Sequence, residues 1–144
     1  MIIVMGLMMV LCVAGIGTGY FAYQRAAEPD RANPGVVVSR YVEATFNTRS
    51  DTEAKRYTCS SPAAITESGD LLDEIKGKER TFNVKIDVKI GDLETSTSGS
   101  NSTVAAQLRL WTVVNDLVQE QIQHWEFSLR NRSGWRVCGA HRVD

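Results

Sequence analysis

Between Phe82 and Ile90 the chain alternates cleanly: Phe82, Val84, Ile86, Val88 and Ile90 are apolar, and Asn83, Lys85, Asp87 and Lys89 between them are polar. A period of two predicts a β-strand with one buried face. Upstream the period is that of helices. In PGVVVSRYVEATFN, Val37, Val38, Tyr41, Val42, Thr45 and Phe46 fall on one side of a first helix. DTEAKRYTC predicts a second, short helix, capped by Ser50 or Asp51, with Ala54, Tyr57 and Thr58 inward and Pro62 breaking it. ITESGDLLDEIKGK predicts a third, capped by Thr66 or Ser68, carrying Leu71, Leu72 and Ile75 on its buried stripe and ending at Gly77.

Downstream of Ile90 a Ser/Thr/Gly loop over residues 94–102 leads to a second strand, STVAAQLRLWTVV. Asn115-Asp116 turns this strand into LVQEQIQHWEFSLR, and Asn131-Arg132-Ser133-Gly134 turns that one into WRVCGAHRV. Three helices followed by a four-stranded antiparallel sheet make an α+β domain.

Residues 2–23 contain no charge and end in Tyr20, Phe21 and Tyr23. About 20 apolar residues in a helix cross a hydrocarbon core of roughly 30 Å, and aromatic residues favour its interface. A single transmembrane helix over residues 1–24 is expected, then a linker over 25–33 and a domain over 34–144. A cleaved signal peptide is the competing reading, because Cys12-Val13-Ala14 would pass as a cleavage site; the apolar run continues beyond it, and no basic residue precedes it. Arg25 and Arg31 are balanced by Glu28 and Asp30, so the flanking charges orient the span only weakly, toward a cytoplasmic domain.

With 144 residues, 43% of them apolar, and a net charge of −1, the chain suffices for one core and carries no electrostatic footprint for nucleic acid.

The turns predict register, and register predicts faces. Pairing Val114 with Leu117 sets Ala106 opposite Trp125 and Val104 opposite Phe127. Pairing Arg130 with Trp135 sets Phe127 opposite Cys138 and Trp125 opposite Ala140. One face then carries Val104, Ala106, Leu108, Leu110, Trp125, Phe127, Leu129, Cys138 and Ala140, and the helices would cover it. The other carries Arg109, Trp111, Ile122, Trp135 and Val137, an aromatic and arginine composition that protein interfaces favour.

Cys138 is thereby expected on the covered side, where Cys59 should sit at the end of the second helix. A Cys59–Cys138 disulfide would place the domain outside the reducing cytosol, with the N-terminus inside. Two buried thiols are the alternative. Cys12 lies in the span.

Tyr57-Thr58-Cys59 and Gly134-Trp135-Arg136-Val137-Cys138-Gly139, in a chain ordered as three helices then long strands, resemble the small secreted or membrane-anchored nuclear transport factor two-like domains of actinobacteria. These are cystatin-like cones, often labelled lumazine-binding-like. The resemblance covers residues 34–144 and implies a cone of three helices on a curved sheet. It also supports the disulfide and an interaction surface on the open sheet face. The scaffold hosts isomerases, dehydratases, ligand binders and interaction modules, so it does not select a function.

A cone acting as an isomerase or dehydratase needs an acid and a base in its apolar interior. The covered face assigned above has neither carboxylate nor histidine, so no catalytic residue is assigned. Tyr41, Tyr57, Gln121 and Gln123 are the polar groups that could orient a small ligand there. His124 and His141, placed opposite each other near Glu126, are read as exposed polar side chains, and no metal or cofactor is expected. The expectation is a plasma-membrane protein with one span and an extracytoplasmic, non-enzymatic accessory domain. Its partner would be an envelope protein or a second copy; a carrier of a small molecule or lipid is the runner-up.

Overall fold

The computed structural model describes residues 30–61 and 65–143. The apolar run over residues 2–23, most of the linker, and Pro62 lie outside them. Among the described residues no helix is long and apolar enough to cross a membrane.

Helix α1 spans Pro34–Val42 and continues as a π-helical segment over Glu43–Asn47. Asn33 caps it by accepting from the Gly35 N–H at 2.8 Å, with Pro34 in the first turn, where a missing N–H costs nothing. Helix α2 is a single turn, Asp51–Ala54, capped by Ser50 and followed by a 3₁₀ turn over Lys55–Tyr57. Helix α3 spans Thr66–Phe82. It runs through Gly77 and five residues beyond, because an interior glycine costs only about 1 kcal/mol and tertiary packing of Leu71 and Ile75 offsets it. Asn83, at φ +51°, ends the helix in the left-handed conformation. Neither expected cap holds at its start: Ser68 is buried and donates to the Ile65 carbonyl instead, at 2.7 Å.

Strands β1 (Asp87–Ser98), β2 (Asn101–Val114), β3 (Leu117–Asn131) and β4 (Trp135–Val143) form one antiparallel sheet in sequence order. Phe82 therefore belongs to α3 and is 68% exposed, contrary to the alternation that placed it in a strand. The Ser/Thr-rich segment over 94–102, expected as a loop, is largely strand, closed by a two-residue turn with Gly99 at φ +60°. The β2–β3 register matches the expectation at Val114–Leu117, Ala106–Trp125 and Val104–Phe127. Asn115 and Asp116 both take positive φ, as a hairpin turn of this length requires.

The β3–β4 register departs from it. Asn131, not Arg130, pairs with Trp135, Leu129 pairs with Val137, and Ser128 pairs with Gly139, so Cys138 is an extra residue in β4. A bulge of this kind reverses which face the residues on one side of it occupy. Trp135 and Val137, expected on the open face, are core residues at 6% and 0% exposure. Cys138, expected on the covered face, is half-buried at the bulge and forms the disulfide with Cys59, with Cα atoms 4.8 Å apart. The same segment covers the edge of β4: Thr58 pairs with Val137 in parallel, and the Cys59 N–H donates to the Val137 carbonyl at 2.8 Å.

The core lies between the helices and the inner face of the sheet, built on Tyr41, Phe46, Ile75, Leu108, Trp125, Phe127 and Trp135. Tyr41 meets Phe127 edge-on at 6.2 Å, and Trp125 stacks on Phe127 at the same spacing.

Candidate binding surface

Of the four residues expected to line a ligand pocket, three are core. Tyr41 is buried, and its hydroxyl shares a 2.6 Å hydrogen bond with Ser68 Oγ. Burial pushes the Tyr41 phenol up, and hydrogen bonds to Ser68 and Thr45 oppose this. Tyr57 is buried at 7% exposure. Gln123 is buried too, and its Oε1 accepts from Trp125 Nε1 at 3.1 Å. Gln121 alone lines open space, a cavity of about 490 Å³ at the free end of the sheet, walled by Phe82, Val84, Ile86, Leu110 and Val114. The side chains of Tyr41, Phe46, Leu108, Trp125 and Phe127 are buried in the core.

The buried polar residues among those described are Thr58, Ser68, Ser102 and Gln123, none of them an acid or a base. The least exposed carboxylate in an ion pair, Glu79, is engaged structurally. Its Oε1 accepts from Arg49 Nη2 at 2.7 Å and from the Ile86 N–H at 2.9 Å, and the Arg49 guanidinium holds its carboxyl below the usual range. His124 and His141 are not opposite each other. His124 pairs with Val143, and His141 faces Glu126 with Nε2 to Oε1 at 3.5 Å. No cluster that could hold a metal ion occurs among the described residues.

The outer face holds a different arrangement. Beyond Asp87, the first residue of β1 and the partner of Trp111, the hairpin of β2 and β3 projects as a two-stranded ribbon, and β4 pairs with β3 only from His124 onward. Three successive cross-strand pairs share its outer face: Arg109–Ile122, Trp111–Glu120 and Val113–Val118. Ile122, Val113 and Val118 are 48%, 49% and 69% exposed. Lys89 Nζ sits 4.5 Å from the Trp111 ring centroid, and Arg109 reaches Glu120 at 3.6 Å, so charged groups rim the apolar strip. Arg109, Trp111 and Ile122 are thus together as expected, while Trp135 and Val137 are absent from the surface. Val113 and Val118 complete it; the alternation that carries Trp111 and Ile122 extends to both and could have identified them.

No protein-family profile matches the chain, and a search of curated proteins gives no match. Among solved structures, the crystal structure of a candidate dehydratase of the NTF2-like family from Streptomyces avermitilis aligns over 75% of this chain and 91% of its own, with a TM-score of 0.52 at 14% identity. The domain has the nuclear transport factor two-like fold. The intermembrane space region of the chloroplast protein ARC6 aligns over 80% of this chain and 97% of its own, at a TM-score of 0.46 and 12% identity.

Proposed function

We propose that this nuclear transport factor two-like domain is an extracytoplasmic, membrane-anchored accessory module that binds another envelope protein through the outer face of its projecting hairpin. The observation that carries the reading is the apolar strip of Val113, Val118 and Ile122, open to solvent beside the half-buried Trp111, on a sheet whose other face is packed. Aromatic and aliphatic side chains gathered on an exposed face and rimmed by charge are the composition of a protein-binding surface. The Cys59–Cys138 disulfide supports an oxidising compartment, and the uncharged run over residues 2–23 supports an anchor. Dehydratase chemistry, named for the Streptomyces avermitilis protein, is not carried over. Among the described residues the interior offers Tyr41 and Ser68, and no buried carboxylate or histidine stands beside them as a base.

A photo-crosslinking residue at Ile122, activated in intact cells, tests the reading. A discrete adduct with a second protein, lost on Trp111→Ala with Val118→Ala, is the expected result. An adduct with the chain itself would make the partner a second copy, and no adduct would reject the surface.

One observation favours a second reading, a carrier of an apolar small molecule or lipid. The cavity of about 490 Å³ at the free end is large enough for one, and Gln119 and Gln121 line it beside apolar walls. Native mass spectrometry of the chain from membranes would reveal a co-purifying ligand.

A further inference from the structure

The two ends of the sheet differ in charge. At the end opposite the projecting hairpin, Arg130 and Arg136 are direct cross-strand partners on the outer face, and Arg132 lies in the turn between them. Like charges directly opposed on a sheet destabilise it unless a counter-charge is near. Asp30 adjoins Arg31, its Oδ1 accepting from the Ala32 N–H at 3.2 Å, but Arg31, Arg130, Arg132 and Arg136 form no ion pair among the described residues. The neighbouring β1–β2 hairpin, residues 95–103, carries no charge at all. Along the outer face of β3 the nearest acid is Glu126, roughly 13 Å from Arg130 at strand spacing and facing His141.

The chain also enters the domain here. The Trp135 N–H donates to the Arg31 carbonyl at 2.9 Å, and the Arg31 side chain runs across Gly134, so close that a Cβ on that glycine would lie 2.9 Å from Arg31 Cβ. Residues 1–29, with their uncharged run, therefore join the fold beside the arginines. The apolar hairpin lies at the far end of β3, roughly 45 Å away for a 15-residue strand.

We propose that Arg31, Arg130, Arg132 and Arg136 form a docking surface for the anionic phospholipid headgroups of the membrane that anchors the chain, holding the projecting hairpin outward. The proposal rests on the reading of residues 2–23 as a span. Guanidinium groups bind phosphate in bidentate fashion, and an anionic surface attracts each nearby basic side chain. The phosphates would supply the counter-charge that the Arg130–Arg136 pair lacks.

The test uses the full chain with membranes of phosphatidylcholine alone or mixed with phosphatidylglycerol. Flotation reports insertion, and amide hydrogen exchange over residues 130–136 reports docking. The expected result is flotation with both membranes, slower exchange in the anionic one only, and loss of that difference in Arg130→Gln with Arg136→Gln. At the usual contribution per basic residue the double variant weakens docking roughly thirtyfold, and Arg132→Gln alone roughly fivefold. Unchanged exchange in the core strands of the variants shows that they remain folded. Flotation with equal exchange in the two membranes overturns the docking surface and leaves the span standing. Flotation only with anionic membranes, abolished in the double variant, overturns the span and keeps the arginine surface. No flotation with either overturns both.

Discussion

The side-chain amide of Asn47 bonds both backbone groups of Val88: Nδ2 donates to the Val88 carbonyl and Oδ1 accepts from the Val88 N–H, each at 2.9 Å. It reproduces, with one side chain, the pairing a neighbouring strand would make, and so closes part of the exposed edge of β1. The π-helical segment places it. The wider turn, with the Thr48 N–H donating to the Glu43 carbonyl, precedes the chain reversal at Arg49 and presents Asn47 to the sheet.

Asn47→Ala should cost about 1–3 kcal/mol, since two backbone groups lose their partner. Asn47→Asp should cost at least as much, because a carboxylate would face the Val88 carbonyl. Urea melts measure both, and sedimentation at high concentration should show more self-association in the Ala variant than in wild type.

The closed loop between Cys59 and Cys138 spans a sequence separation of 79, and in the chain-entropy account such a cross-link contributes about 4–5 kcal/mol. Melts of the oxidised and reduced chain should differ by an amount of that order. Alkylation of the non-reduced protein followed by mass mapping should find both thiols blocked.

Trp135→Ala should destabilise the fold by about 3–5 kcal/mol, as should Trp125→Ala, because both rings are buried. Trp111 is half-buried on the outer face, and Trp111→Ala should cost distinctly less while weakening partner binding. Thermal melts of the three variants rank them; a Trp135→Ala protein as stable as wild type would contradict the bulge at Cys138.

The depressed carboxyl of Glu79 links stability to pH. Its folded value lies below its unfolded one, so the stabilisation is present at neutral pH and is lost as pH falls from the ordinary carboxylate range through the depressed value. Glu79→Gln should cost on the order of 2 kcal/mol near neutrality and progressively less in acid, which denaturant melts across that range would record.

Placing the domain outside the cytosol predicts that Ser98→Cys, at the exposed β1–β2 turn, is labelled by an impermeant reagent on intact cells. Labelling only after lysis would put the weak charge count around the span ahead of the disulfide.

The β2–β3 hairpin was legible in the chain because every signal there is local: Asn115-Asp116 demands one turn, the turn dictates one register, and register assigns Trp111 and Ile122 to one face and Trp125 and Phe127 to the other. Helical and strand periodicity likewise identified the layers, and so the α+β class. What tertiary structure decided was wherever a local preference met a stronger distant one. Gly77 yielded to the burial of Ile75, and Phe82 was carried into α3 until Asn83 could turn left-handed. At β4 the segment of Thr58 and Cys59 lies along the strand edge and binds Val137, and one extra residue there exchanges the faces of Trp135 and Val137 with those expected from the turn. A bulge leaves no periodic mark in a strand this short, because apolar Val137 and Ala140 suit either face, and the partner that holds it is some 80 residues away.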